Sequence, residues 1–332
     1  MKPTIAITMG DPAGIGPEVV LKALRMADMA EPSRLVVLGD EQVLNRAARQ
    51  LGVSPPWQTV RSTNELEDAR GELVLVDFAN VPGELPPRPT AEGGRASLDY
   101  VNAAIDLAVA GRADAIATAP VHKVALSLAG CTHPGHTEIL AERTGTQHYV
   151  MMLAGPALRV ALVTIHIALQ DVPSALTTEQ VGRTIQITDR GLRELFGIER
   201  PRVAVAGLNP HAGESGRFGT EEAQIIAPAI EQARHDGIDC SGPHPPDTVF
   251  HRAIHGQFDA VVVMYHDQGL IPIKLLHFET AVNITLGLPI IRTSADHGTA
   301  YDIAGKGIAD GGSMARAVEL AAQFARRRQA QR

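Results

Sequence analysis

Short apolar runs alternate with amphipathic stretches along almost the whole chain. Thr4 to Thr8, Leu35 to Leu38, Leu73 to Val76 and Asp114 to Thr118 are brief, rich in Val, Ile, Leu and Ala, and bounded by turn residues, which predicts buried strands. Between them, apolar residues recurring every three or four positions predict helices at Pro17 to Met29, Asp40 to Leu51 and Arg95 to Ala110. The first has a proline early in its opening turn, and a Pro- and Gly-rich loop, Pro82 to Gly94, precedes the third. The segment Tyr149 to Ile165 predicts two strands around the turn Ala154-Gly155-Pro156. Further strands are expected near 202–206 and 259–265, and helices near 177–196, 220–236 and from Ser313 to Arg326. Strands alternating with helices imply an α/β protein with a largely parallel sheet covered on both faces. No internal repeat or low-complexity segment interrupts the pattern.

Three histidines fall at the same kind of place in this pattern. His166 ends the apolar run Leu158 to Ile165, His211 follows the strand Arg202 to Ala206 by a Gly-Leu-Asn-Pro turn, and His266 directly follows Asp259 to Tyr265. Ligands of open α/β sheets bind beyond the carboxyl ends of the strands. Three imidazoles there suit one divalent metal ion with open positions, and neutral imidazole accepts zinc, cobalt and other divalent ions. For any one of them alone, a surface or core histidine with a hydrogen bond is the competing explanation.

Other segments carry candidate chemistry. Gly14-x-Gly16, between the first strand and first helix, begins like a dinucleotide fingerprint but continues Pro17-Glu18, so a tight turn lining a cleft fits it better than a full phosphate loop. Gly135-His136-Thr137-Glu138 opens a helix-like stretch. Thr137 is a candidate cap, the backbone N–H groups suit an anion, and His136 stands beside them; plain capping is the alternative. The polar loops Asn209 to Glu214 and Met264 to Gly269 follow apolar strands. Asp267, as histidine-orienter or base, and Asp247 are candidate catalytic acids, and each fits a turn-capping role equally. Lys274, Asn283 and Arg292 lie in a largely apolar stretch, where a cation needs either an anionic ligand or a local acid. The small residues from His297 to Asp310 permit close backbone approach to a cofactor, or simply a mobile loop.

Composition narrows the function classes. A length of 332 residues suits two ordinary domains or one large α/β unit. A formal net charge of −7 and only 4% aromatic residues argue against nucleic-acid binding. The run Arg326-Arg327-Arg328 sits at a predicted helix end, where the macrodipole favours cations. Cys131 and Cys240 form no Cys-x-x-Cys pattern and no disulfide framework, which fits a reducing compartment. No stretch approaches a membrane span, and the N-terminal apolar run is too short for a signal peptide, so a cytoplasmic chain with no membrane partner is expected.

Taken together, Gly135-His-Thr-Glu138, Asn209-Pro-His-Ala-Gly-Glu214, Tyr265-His-Asp-Gln-Gly269, Val282-Asn-Ile-Thr-Leu-Gly-Leu-Pro289, Ile291-Arg-Thr-Ser294 and Asp296-His-Gly-Thr299 resemble the 4-hydroxythreonine-4-phosphate dehydrogenase family of pyridoxal phosphate biosynthesis, over nearly the whole chain. The loop from His297 to Asp310 is also similar to the adenosine-binding loop of isocitrate and isopropylmalate dehydrogenases. The resemblance implies two α/β/α domains with a cleft between them, of the isocitrate/isopropylmalate dehydrogenase type. It suggests a first domain of 1–135 plus 290–332 on the cofactor side, and a second of 136–289 with the metal site and dimer contacts. It implies a divalent ion (zinc, magnesium or cobalt) on His166, His211 and His266, and contacts to a small phosphorylated substrate from His136, Thr137, Lys274, Asn283 and Arg292. Lys274, Asp247 and Asp267 are its candidate catalytic groups. It implies NAD or NADP near Gly14, Gly16, His297, Gly298, Thr299 and Asp302, and a homodimer with a shared active site. The expected reaction is oxidation of 4-phosphooxy-L-threonine with decarboxylation to 3-amino-2-oxopropyl phosphate. Two departures bear on the substrate: Thr132-His-Pro134 replaces an aromatic residue before Gly135, and Ile167-Ala-Leu169 follows His166 where Leu-Pro-Leu is common. The second is similar to paralogues that oxidise D-threonate or D-erythronate 4-phosphate. A metal-dependent sugar-phosphate isomerase or aldolase is the rival reaction class.

Overall fold

A computed structural model describes residues 2–27, 32–133 and 135–331. The chain divides into two compact units, residues 1–147 with 288–332, and 148–287.

The first stretch of unit 1 holds β1 (Thr4–Thr8), α1 (Gly16–Met26), β2 (Arg34–Gly39), α2 (Glu41–Leu51), β3 (Gln58–Val60), β4 (Leu73–Asp77), α3 (Ala91–Val109), β5 (Ala115–Thr118), α4 (Lys123–Leu128) and α5 (His136–Arg143). Unit 2 holds β6 (Val150–Ala154), β7 (Arg159–Leu162), α6 (Val172–Ala175), α7 (Thr178–Gly191), β8 (Val203–Ala206), α8 (Ala227–His235), β9 (Cys240–His244), α9 (Pro246–Ile254), β10 (Ala260–Val263), α10 (His266–His277) and β11 (Val282–Leu286). The chain then returns to unit 1 with β12 (Ile291–Ala295) and α11 (Gly312–Ala330).

The strands of unit 1 run in the order β3-β4-β2-β1-β5-β12, every neighbouring pair parallel. Those of unit 2 run β11-β6-β7-β10-β8-β9. There β6 is antiparallel to both neighbours, and β7, β10, β8 and β9 are mutually parallel. Leu153, Val160, Leu162, Val261, Val263 and Ile273 lie in the core of this unit, consistent with strands whose side chains are apolar almost throughout. No helix among the described residues is long and apolar enough to cross a membrane.

Most expected elements lie where the periodicity put them, and Asp40 caps α2 by accepting N–H bonds from Gln42 and Val43. The helix expected from Pro17 to Met29 is described to Met26, and Met29 lies outside the described residues. The loop expected over Pro82 to Gly94 is shorter, because α3 begins at Ala91 behind a Thr90 cap. Gly93 and Gly94 are helical there for a packing reason: a Cβ on Gly94 would lie 1.9 Å from the Ala125 carbonyl oxygen, so only glycine lets α3 approach α4 so closely. Residues 136–147 fall in unit 1, whereas the sequence placed them in the second domain. Arg143 of α5 bonds Asn102 and Asp106 of α3, which ties this segment to the first unit.

Candidate active site

In unit 2 the carboxyl ends of β7, β10, β8 and β9 all lead into polar residues. His166 follows β7, His266 opens α10 just beyond β10, His211 lies in the turn Pro210–Gly213 after β8, and Asp247 lies in the first turn of α9 after β9. The His166 and His266 rings stand 5.5 Å apart, centroid to centroid. His266 Nδ1 faces a carboxylate oxygen of Asp267 at 2.7 Å, which leaves Nε2 for a ligand and fixes the ring. His211 is exposed, on a turn whose backbone is left-handed at His211 (φ 51°) and Ala212 (φ 52°). Among the described residues no three His, Cys, Asp or Glu side chains form a set placed to hold a metal ion, so His211 is not drawn together with the other two. The donor chemistry fits a divalent ion, with two imidazoles already adjacent and the third behind the next parallel strand but one along the sheet from β7. Lys274 lies further along α10, with its ammonium 5.9 Å from the centre of the Phe278 ring. Asn283 is half-buried on β11 opposite Leu153.

In unit 1, Arg292 is buried on β12 and donates from Nη2 to the Thr118 hydroxyl at the end of β5, 3.0 Å away. His136, the first residue of α5, is buried too. Burial, and then the charge of Arg292, hold its imidazole pKa well below the usual 6.5, so the ring is neutral. Burial lowers Arg292 as well, to about 10, against the opposing pull of Glu138. His136 Nε2 is a buried atom with no hydrogen-bond partner, the kind of group that a bound ligand satisfies. Thr137 does not cap α5. The helix starts two residues earlier than a Thr137 cap requires, Gly135 holds the cap position, and Thr137 lies within the first turn.

The neutral state of His136 has a measurable cost at low pH. Its folded pKa is depressed below the unfolded value, so the unfolded chain takes up the proton first as pH falls through 6.5. Stability is therefore fully present above that value and lost below it, by about 1 kcal/mol between pH 7 and 5.5. A His136→Gln variant should show a smaller drop in urea midpoint than the parent over that range. Identical drops would remove His136 from the pH dependence.

The remaining candidates surround the turn between β1 and α1. Ile15 N–H donates to the Thr299 carbonyl at 2.9 Å, and a Cβ on Gly14 would lie 2.7 Å from that oxygen, so Gly14 permits the contact. Gly16 opens α1 against the Met9 carbonyl. Asp11, fully buried, accepts the Tyr301 hydroxyl at 2.6 Å and the Ala13 N–H at 2.9 Å, and burial pushes its pKa up. Thr299 is buried, His297 Nε2 is a second buried atom with no hydrogen-bond partner, and Gly298 and Asp302 are exposed.

The family model of the pyridoxal phosphate biosynthetic protein PdxA matches residues 31–321. The chain belongs to the PdxA family. It is 52% identical over 325 residues to a 4-hydroxythreonine-4-phosphate dehydrogenase of Desulfosudis oleivorans, covering 96% of this chain and 95% of the relative. A relative from Oceanobacillus iheyensis, provisionally named a D-threonate 4-phosphate dehydrogenase, is 47% identical over 98% of both chains. Among solved structures, the 4-hydroxythreonine-4-phosphate dehydrogenase of Klebsiella pneumoniae matches with a TM-score of 0.86 at 44% identity over 98% of each chain.

Within this PdxA chain, several supporting residues had no role in the sequence reading. Asn209 braces the His211 turn, giving its backbone N–H to Glu222 at 2.7 Å and its amide to Glu221 and Glu222 at 2.7 and 3.0 Å. Gln268 accepts from Met264 N–H and donates to the Gly207 carbonyl, both at 2.7 Å, tying the end of β10 to the start of the His211 turn. Both amides lie inside the polar loops already singled out, and a side-chain amide next to a strand-end histidine was the available signal. Thr118 offered none beyond its place at a strand end.

Proposed function

We propose that this chain is an NAD(P)- and divalent-metal-dependent dehydrogenase that oxidises the secondary alcohol of 4-phosphooxy-L-threonine, with loss of carbon dioxide to give 3-amino-2-oxopropyl phosphate. The observation that carries the proposal is three histidines behind the ends of parallel strands, in a chain half identical to a relative bearing that activity's name. His166, His211 and His266 are the proposed metal ligands, and Asp267 fixes the ring of His266. A divalent ion there supplies Lewis acidity, and a nicotinamide supplies the hydride acceptor.

The chain's own groups do the rest. His136, Thr137 and Arg292 hold an anionic end of the substrate, because a guanidinium fork and a neutral imidazole N–H both donate to phosphate or carboxylate oxygens. Lys274 and Asn283 are further proposed substrate contacts. Lys274, Asp247 or Asp267 takes the hydroxyl proton as the alcohol becomes a ketone β to the carboxylate, and the β-keto acid then loses carbon dioxide. Gly14, Gly16, His297, Gly298, Thr299 and Asp302 are the proposed cofactor side. We also propose a homodimer, since closed two-fold dimers are the commonest homo-oligomers.

The second reading is oxidation of D-threonate or D-erythronate 4-phosphate, favoured by Ile167-Ala-Leu169 after His166 and by the Oceanobacillus relative. One assay tests both. The growth of reduced-nicotinamide absorbance is followed with phosphooxy-threonine and with the two sugar-acid phosphates, using NAD and NADP. Highest kcat/KM with phosphooxy-threonine is expected. Preference for a sugar-acid phosphate selects the second reading, and aldol cleavage or isomerisation without nicotinamide reduction overturns both.

A further inference from the structure

Helix α9 carries two histidines that no role assigned so far uses. His251 and His255 stand four residues apart at its C-terminal end, and both are exposed. Side chains at i and i+4 of a helix lie one above the other, with Cβ atoms about 5–6 Å apart. His255 follows the last helical residue, yet its backbone stays close to helical (φ −90°, ψ 15°) and its N–H still bonds the His251 carbonyl at 3.3 Å. The i,i+4 relation therefore survives the end of the helix. The two imidazole rings stand 4.2 Å apart, centroid to centroid, at an interplanar angle of 35°.

The hydrogen bonding of the pair suits a metal ion. His255 Nδ1 lies 2.7 Å from the His251 carbonyl oxygen, which only accepts, so Nδ1 carries the hydrogen and the neutral ring keeps its Nε2 lone pair for a ligand. Histidines that bind metals almost always donate their other ring N–H to a carbonyl or carboxylate in this way, which fixes both tautomer and ring. The C-terminal end of a helix carries partial negative charge and favours a cation. Arg252, next to His251 in sequence, is committed elsewhere. Its Nε donates to Gln257 at 2.8 Å and its Nη1 to His244 Nδ1 at 3.1 Å, and the guanidinium lies over the Phe258 ring, 4.8 Å from its centre.

We propose that His251 and His255 chelate a transition-metal ion of their own, of the copper, nickel and zinc class, with water completing its coordination. Imidazole nitrogen selects these ions over magnesium and calcium, which prefer oxygen ligands, and the usual order of affinity puts copper first. The pair is distinct from the strand-end histidines. Asp247, the candidate acid nearest to it in sequence, occupies the first turn of α9, about 6 Å from His251 and about 12 Å from His255 along the helix axis.

The test is a calorimetric titration of cupric ion into the full-length protein and into His251→Gln, His255→Gln and doubly substituted variants, with magnesium as the hard-ion control. Glutamine is a better helix former than histidine, so α9 should persist. Each single variant should bind one copper equivalent fewer, or bind that equivalent at least tenfold more weakly. The double variant should lose no more than either single one, because a chelate is already broken when one arm is gone. The paramagnetic resonance spectrum of the copper lost in the variants should show coupling to two nitrogens in the parent, and magnesium should not displace it. Equal copper stoichiometry and affinity in the parent and both single variants overturns the proposal. Losses that add, with the double variant losing the sum of the two single losses, reduce the pair to two independent surface imidazoles and overturn it as well.

Discussion

A His211→Ala chain is expected to lose turnover and most of its bound divalent metal while keeping its fold. His211 is exposed on a turn, and the turn is held by Asn209 and Glu222 rather than by the imidazole, so little packing is lost with the ring. Removing an outer partner of a metal ligand costs about 10–100-fold in metal affinity or activity, and removing one of three ligands should cost more. The checks are elemental analysis, kcat/KM and a thermal melt on the same preparation. A melting temperature near that of the parent with activity gone is the expected combination. Parent activity that survives exhaustive chelation, with metal absence confirmed, would sink the metal reading altogether.

Replacing Arg292 with Leu should lower kcat/KM for the phosphorylated substrate by tenfold to a hundredfold or more. Hydrogen bonds to a charged group are worth roughly 1.5–3 kcal/mol, and Arg292 is buried where its charge is expensive unless something anionic meets it. Leu fills similar apolar space, so the variant isolates the guanidinium, although the Thr118 hydroxyl loses its donor. Unchanged kinetics with the phosphorylated substrate would place Arg292 outside the site.

The strand-end histidines were legible because a buried parallel strand advertises itself: Ala260 to Val263 is an unbroken apolar run, and the first polar residues after it, Tyr265 and His266, stand at the carboxyl end by necessity. Local periodicity gives no such help at α3. Gly93 and Gly94 read as loop because what crowds them is distant in sequence, the Asp11 carboxylate for one and the Ala125 carbonyl for the other. The same holds for the anion-site candidates. That the charge of Arg292 on β12 reaches His136 on α5 and depresses its pKa depends on two residues far apart in the chain sharing unit 1, which no window of sequence contains. Glu18 of α1 accepts the N–H groups of Gly307 and Ala309, the latter 291 positions away, and that pairing was invisible for the same reason.

The interrupted course of unit 1 constrains how this protein can be made. A ribosome delivers residues 148–287 before it delivers β12 and α11, so the first unit waits, its sheet incomplete, while the whole of the second emerges. During that interval one flank of β5, an apolar strand buried in the finished protein, has no hydrogen-bonding neighbour in its own unit. Such a bare flank is a template for pairing with other chains. Nascent chains stalled before Ile291 should therefore depend on chaperones, and C-terminal deletions that remove β12 should accumulate as aggregates rather than as folded fragments. Arg292 arrives on the very strand that closes this gap, so completion of the sheet and arrival of the buried cation are one event in the life of each molecule.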